Sequence, residues 1–268
     1  MGAWKPSRRP MAQVMPAAML YLLSNDDGHH APGLAALRRA AGRSGRVAVV
    51  APAEEQSAKS HAFTMLEPLR VERVGPMDWK VRGTPADCVY LALHQLLDRE
   101  PGLVLSGINR GSNLGQDVHY SGTVAAAIEA CLHGYAAIAF SLHTAPGDTE
   151  LHWETAEQVV ERVLQGVASQ PIPPGTMLNV NVPNCRPEDL RGLAAASLGR
   201  RIYDPAVHVR ADPRGMDYFW IGGPHTGFDP AQGTDGPEIA ENWASVTPLH
   251  PDLTWKSRIE ALRAWTDR

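Results

Sequence analysis

The feature that most constrains the fold is a rhythm of short apolar runs separated by stretches of helical spacing. The runs are Leu20-Tyr21-Leu22-Leu23, Val47-Ala48-Val49-Val50, Leu103-Val104-Leu105, Ala137-Ile138-Ala139-Phe140 and Leu178-Asn179-Val180-Asn181-Val182. Strands that read apolar at successive positions are buried on both faces, and parallel neighbours need a crossover between them. The alternation therefore predicts an α/β protein: a Rossmann-like, mostly parallel sheet with crossover helices. Helices are expected over 34–41, closed by Gly42, then over 84–97, 124–132 and 153–167. The second opens on Thr84-Pro85-Ala86-Asp87, with a hydroxyl at the cap, proline at the first position and a carboxylate behind it. Pro68, the alternation from Leu69 to Val74, a Gly75-Pro76 turn and Trp79-Lys80-Val81 predict an antiparallel ribbon.

The rhythm marks a core domain over 19–183. Beyond Pro183 it gives way to glycine, proline and scattered aromatics, which predicts a smaller irregular C-terminal subdomain over 184–268, with strand-like pieces at 218–221 and 244–247. A final helix over 257–265 sets Ile259, Leu262 and Trp265 on one face. A helix this short needs something to pack against, so the subdomain is expected to take part in oligomerisation. Residues 1–18 carry Lys5, Arg8 and Arg9 but are broken by Pro10 and Pro16, so they read as a disordered extension rather than a signal peptide. No apolar run approaches the ~20 residues of a membrane span, and no membrane partner is expected. The balance of 25 basic against 29 acidic residues, a net charge of −4, argues against holding a nucleic acid polymer by bulk charge. Cys88, Cys131 and Cys185 are odd in number and far apart, which suggests neither a disulfide framework nor a thiolate zinc site and favours a cytoplasmic setting.

In an open parallel sheet ligands bind beyond the carboxyl ends of the strands. That rule selects three loops: 25–28, 53–60 and 106–121. In the first, Asp26 and Asp27 are adjacent carboxylates at the end of a buried strand, which a divalent cation would stabilise; alone, the tetrapeptide Asn25-Asp26-Asp27-Gly28 reads more simply as a turn. The third offers Asn109 and Asn113, four residues apart among glycines that let backbone approach a ligand. Neutral oxygen donors beside two aspartates suit a hard cation, Mg²⁺ or Mn²⁺, over zinc. Ser121-Gly122-Thr123 stands at a helix start, where free N–H groups and hydroxyls suit a phosphate, although helix capping alone accounts for the pattern. Among the histidines, His29, His30, His61 and His119 show no helical metal spacing and read as supporting or surface groups; Arg200-Arg201 reads as a solvated pair ahead of the alternative, a phosphate contact.

Together these segments resemble the stationary-phase survival protein E (SurE) family. The matching stretches are Leu22-Leu23-Ser24-Asn25-Asp26-Asp27-Gly28 with Ala31-Pro32-Gly33, Val50-Ala51-Pro52 with Glu55-Gln56-Ser57, Gly83-Thr84-Pro85-Ala86-Asp87-Cys88-Val89, Ser106-Gly107-Ile108-Asn109-Arg110-Gly111-Ser112-Asn113, and Tyr120-Ser121-Gly122-Thr123-Val124. Weaker echoes run on through Gly199-Arg200, Tyr203, Gly233-Thr234-Asp235 and Thr247-Pro248-Leu249. The resemblance implies metal ligands at Asp26, Asp27, Ser57 and Asn109, and phosphate-binding positions at Asn113, Ser121, Gly122 and Thr123. It departs at Ala58-Lys59-Ser60-His61 and at His29-His30, which bears on substrate preference.

The resemblance further implies a divalent-metal-dependent phosphomonoesterase, with one Mg²⁺ or Mn²⁺ per subunit. Its expected substrates are nucleoside 5′- and 3′-monophosphates, with short polyphosphate as a side activity, and its expected assembly is a homodimer or homotetramer. Asp26 and Asp27 are the expected catalytic carboxylates, as ligand, base or nucleophile. The rival reading is a nucleotide-binding regulatory protein without turnover. An aspartyl-phosphate phosphatase fits less well, because its nucleophile opens an Asp-x-Asp pattern and these carboxylates are adjacent.

Overall fold

The computed structural model describes residues 19–145, 147–222 and 225–266. The expected extension over 1–18 lies outside them. The apolar runs form β1 (Leu20–Ser24), β2 (Arg46–Pro52), β5 (Leu103–Arg110), β6 (Ala137–Leu142) and β7 (Met177–Val182). All pair in parallel, and the expected ribbon, β3 (Arg70–Gly75) with β4 (Asp78–Arg82), extends the sheet beside β2. From the C-terminal part, β13 (Trp243–Leu249) adds antiparallel to β7, and β8 (Gly192–Ala195) pairs with β13. The nine-stranded order is β3-β4-β2-β1-β5-β6-β7-β13-β8. The chain moves outward from β1 in both directions, so the switch in strand order falls between β1 and β5.

Period-two alternation sorts each strand's side chains between two apolar layers. Tyr21 and Leu23 face α1 (Pro32–Gly42) and α4 (Trp153–Ser169), packing with Leu37, Val160 and Leu164. Leu20 and Leu22 face α2 (Pro85–Leu91) and α3 (Gly122–Leu132), packing with Val89, Ala126 and Ala130. At α2 the Thr84 hydroxyl accepts from the Asp87 N–H while the Asp87 carboxylate accepts from the Thr84 N–H, a reciprocal cap.

Two expectations are corrected. The helix anticipated over 84–97 stops at Leu91 and continues as a π-helical turn over Ala92–Leu96. The loop anticipated over 106–121 begins as strand and contains a helical turn: β5 runs on to Arg110, regaining its pairing with β6 after an irregularity, and a 3₁₀ turn occupies Gly115–His119. The polar Ser106-Gly107 step disguised the continuation. Gly107 has φ of 126°, and a Cβ there would lie 2.3 Å from the Phe140 carbonyl oxygen, so the strand holds its register only with glycine.

The remaining elements are β9 (Arg201–Tyr203), β10 (Val207–Ala211), β11 (Asp217–Ile221), β12 (His225–Phe228), α5 (Asp235–Ala240) and α6 (Lys256–Arg263). Strands β10 and β11 form a separate hairpin, and β9 pairs with β12. Buried Asp235 at the start of α5 accepts the N–H groups of Gly115 and Gly199, at 2.8 and 2.9 Å, tying this part to the end of the central sheet. No helix among the described residues is long and apolar enough to cross a membrane.

Candidate active site

The switch point between β1 and β5 opens into a cavity of about 570 Å³ lined by Asp26, Ser57, Asn109, Asn113 and Ser121, among others. Asp26 follows β1 and is 4% exposed. Burial pushes its carboxyl above the usual carboxylate range, against the opposing pull of a hydrogen bond from the Thr123 hydroxyl. Asp27 is less buried; desolvation pushes it up to about 6, against an N–H bond from Arg110 at 2.9 Å, and the neighbouring Asp26 and Glu55 charges act the same way as burial. Two carboxylates held this close and this dry call for a cation or protons.

The opposite wall is the start of α3. Ser121 caps it, accepting from the Val124 N–H at 3.0 Å, as the capping reading expects. Thr123 does something else: its hydroxyl donates to Asp26 Oδ1, joining the expected phosphate end to the expected cation end. Gly122 permits this approach, since a Cβ there would lie 2.8 Å from the Asp26 Cβ and 2.9 Å from Oδ2.

Ser57 lies on the exposed loop after β2, where its hydroxyl donates to Glu55 at 2.8 Å. The Gln56 N–H donates to the Asp26 carbonyl at 2.7 Å, which fastens that loop to the end of β1. Asn109 gives its amide nitrogen to the Gly111 carbonyl at 2.7 Å, leaving its oxygen as the group to offer a cation. Asn113 is buried: its amide donates to the Ser141 hydroxyl at 2.7 Å, and its backbone is gripped by the Asn179 and Asn181 side chains. Ser24 Oγ, Asn25 Oδ1 and Ser106 Oγ, around the ends of β1 and β5, are buried without a hydrogen-bond partner among the described residues.

The rim holds residues that the sequence did not single out as a group. Gln116, Asp117, Tyr120 and Tyr203 line the cavity, and Asp117 accepts from the Tyr203 hydroxyl at 2.6 Å and from Arg201. The expectation of a solvated Arg200-Arg201 pair is thereby corrected for Arg201, whose side chain is 13% exposed and ion-paired with Asp117. The signal for this contact was the Tyr203 echo, but its partner stands 84 residues away from Arg201 in the chain.

A sequence profile described as Survival protein SurE matches residues 21–205. A relative from Methylococcus capsulatus, named 5′-nucleotidase SurE, is 47% identical over 247 residues, covering 92% of this chain and 97% of its own. One of the same name from Moorella thermoacetica is 46% identical over 252 residues, covering 92% and 96%. The crystal structure of SurE protein from Aquifex aeolicus superposes with a TM-score of 0.82 at 39% identity, covering 91% of this chain and 98% of that one. With the profile over most of the central sheet and the relatives over nearly the full length, this chain belongs to the survival protein SurE family.

Proposed function

We infer that this chain is a divalent-metal-dependent phosphomonoesterase acting on nucleoside monophosphates, releasing nucleoside and phosphate. The 5′-monophosphates follow the names of its relatives; 3′-monophosphates and short polyphosphate extend the same chemistry. The observation that carries the reading is the Thr123–Asp26 contact, because it sets a helix N-terminus suited to an anion against a carboxylate pair suited to a cation.

The donor set supports a hard cation. No cluster of three or more His, Cys, Asp or Glu among the described residues is arranged to hold a metal. Two aspartates supplemented by the oxygens of Ser57 and Asn109 are all-oxygen ligands, which favours one Mg²⁺ or Mn²⁺ per subunit over a softer ion. A bound divalent cation supplies Lewis acidity toward a phosphoryl oxygen and toward water. Asp26, which lines the cavity and accepts the Thr123 hydroxyl, is the group placed to orient a water and hold its proton. Ser121 offers its hydroxyl and Gly122 and Thr123 their N–H groups to the phosphoryl oxygens, where charge builds in the transition state, and the Thr123 hydroxyl joins them by turning its one proton from Asp26 to the substrate. Asn113, held rigidly by Ser141, Asn179 and Asn181, fixes the far side. We place the protein in the cytoplasm as a homodimer or homotetramer. Phosphate release measured across nucleoside monophosphates with Mg²⁺, with Mn²⁺ and with EDTA tests the reading. Release that depends on metal supports it; nucleotide binding without turnover would leave the regulatory alternative, and full turnover in EDTA would sink the metal site.

A further inference from the structure

The loop over 53–64 carries Ser57 and is mostly exposed, with Ala58 and Ser60 at φ of 57° and 53°, a conformation such residues adopt only when their surroundings hold them. Its ties are specific. Ser60 donates its hydroxyl to the His119 carbonyl at 2.7 Å and its N–H to the Tyr120 carbonyl at 3.2 Å. Thr84 donates to the Ala62 carbonyl, and Asp87 accepts from Thr64. Gln56, beside Ser57, is fastened to the end of β1 through the Asp26 carbonyl, and a further tie holds the far half of the loop: His61 Nε2 lies 2.8 Å from Oε2 of Glu129. Glu129 is a buried carboxylate on α3, the helix whose start forms the anion wall. Its other oxygen lies 3.0 Å from His133 Nε2, and His133 Nδ1 lies 3.1 Å from His94 Nε2, with the Tyr90 ring against both imidazoles. Burial alone would push the Glu129 carboxyl up, yet the two imidazoles hold it below its ordinary value.

An acid buried on a helix of small apolar residues is costly without partners. His133 alone, one turn along the same helix, could stabilise Glu129. The second oxygen instead reaches out of the helix to a loop that brings Ser57 to the cavity from another side. The cation end and the anion end of the site rest on different elements, and this bond spans them.

We propose that Glu129, through His61, is a positioning residue that clamps the 53–64 loop to α3 and so fixes Ser57 relative to Asp26 and the start of α3. The proposal rests on the reading of Ser57 as a metal ligand.

The test uses the full chain with four single variants: His61→Ala, His61→Asn, His133→Ala and Ser57→Ala. The readouts are backbone hydrogen exchange over 57–64, the Mn²⁺ concentration for half-maximal phosphate release, and the melting temperature. His61→Ala is expected to speed exchange in the loop and to raise the half-saturating Mn²⁺ by about tenfold, the scale for losing a group that supports a ligand, with melting little changed. His61→Asn, which keeps an N–H donor, should recover part of the Mn²⁺ response. His133→Ala leaves the loop bond in place and should leave exchange and Mn²⁺ response near wild type. Equal effects of His61→Ala and His133→Ala would overturn the proposal, since Glu129 would then be acting only within its helix. So would a wild-type Mn²⁺ response in His61→Ala when Ser57→Ala has raised it. If Ser57→Ala itself leaves the Mn²⁺ response unchanged, the Ser57 ligand reading fails and the proposal falls with it, while loop exchange in His61→Ala still reports whether the clamp exists.

Discussion

Asp27 and Thr123 stand on opposite sides of the proposed chemistry, and single substitutions separate their roles. Asp27→Asn removes a negative charge from the cation site, so the Mn²⁺ needed for half-maximal activity is expected to rise by at least about tenfold, with part of the rate returning at high Mn²⁺. Thr123→Val removes a hydroxyl whose one proton goes to Asp26 in the free chain and is expected to turn to phosphate once substrate binds, and should cost ~10²-fold in rate at saturating metal. A Thr123→Val protein that turns over at the normal rate once saturated with metal contradicts the phosphate role. Asp27 also predicts a pH effect. Its carboxyl is raised from 3.8 to about 6, so the metal-free folded chain keeps a proton that the unfolded chain has released. Metal-free stability contributed by this group therefore falls as pH rises from about 4 through about 6, and a cation removes the loss. Melting curves should show a larger Mn²⁺-induced increase at about pH 7 than at about pH 5, where the proton competes with the metal; equal increases at both would remove Asp27 from the site.

At the scale of elements, the critical junction is the start of α3 against the end of β1. Gly122→Ala puts a methyl group 2.8 Å from the Asp26 Cβ, so helix or carboxylate must move. The expected result is a loss of about 1–3 kcal/mol in stability, read by denaturant unfolding, together with a fall in kcat because the anion wall has retreated. A variant with unchanged turnover and unfolding would mean that the helix approaches Asp26 less closely than described. Much of this level was legible in the sequence because strand alternation, the Thr84-Pro85 cap and the serine before α3 are local signals. The residues carrying them lie within a few positions of one another. The continuation of β5 was hidden, since its polar Ser106-Gly107 step looks like a loop until Asn109 and Arg110 are seen paired with Ser141 and Leu142. The Arg201–Asp117 pair and the His61–Glu129 bond were hidden for a different reason. Each joins residues far apart in the chain, and nothing near either partner indicates the other.

For the molecule as a whole, the C-terminal part sets the largest question of stability. Every residue of β10 and β11 is exposed, although the two strands carry Val207, Val209, Phe219, Trp220 and Ile221. An isolated two-stranded hairpin is at best marginal in water, and apolar groups on both its faces make solvent a poor environment for it. The face expected to pack at the end of the chain is also open: Ile259, Leu262 and Trp265 of the α6 region are exposed beside Trp255. Among the described residues one chain therefore presents two exposed apolar elements, while its central sheet is closed by helices on both faces. A second copy of the chain is the partner we propose, because closed symmetric association can bury both elements at once on each subunit. Light scattering at micromolar concentration should give at least a dimer. Paired substitutions Phe219→Asp and Trp220→Asp should shift that mass toward the monomer while leaving the helix-covered sheet folded by circular dichroism. A wild-type chain that scatters only as a monomer would overturn the assembly, and a variant that stays fully oligomeric would move the interface away from the hairpin and toward α6.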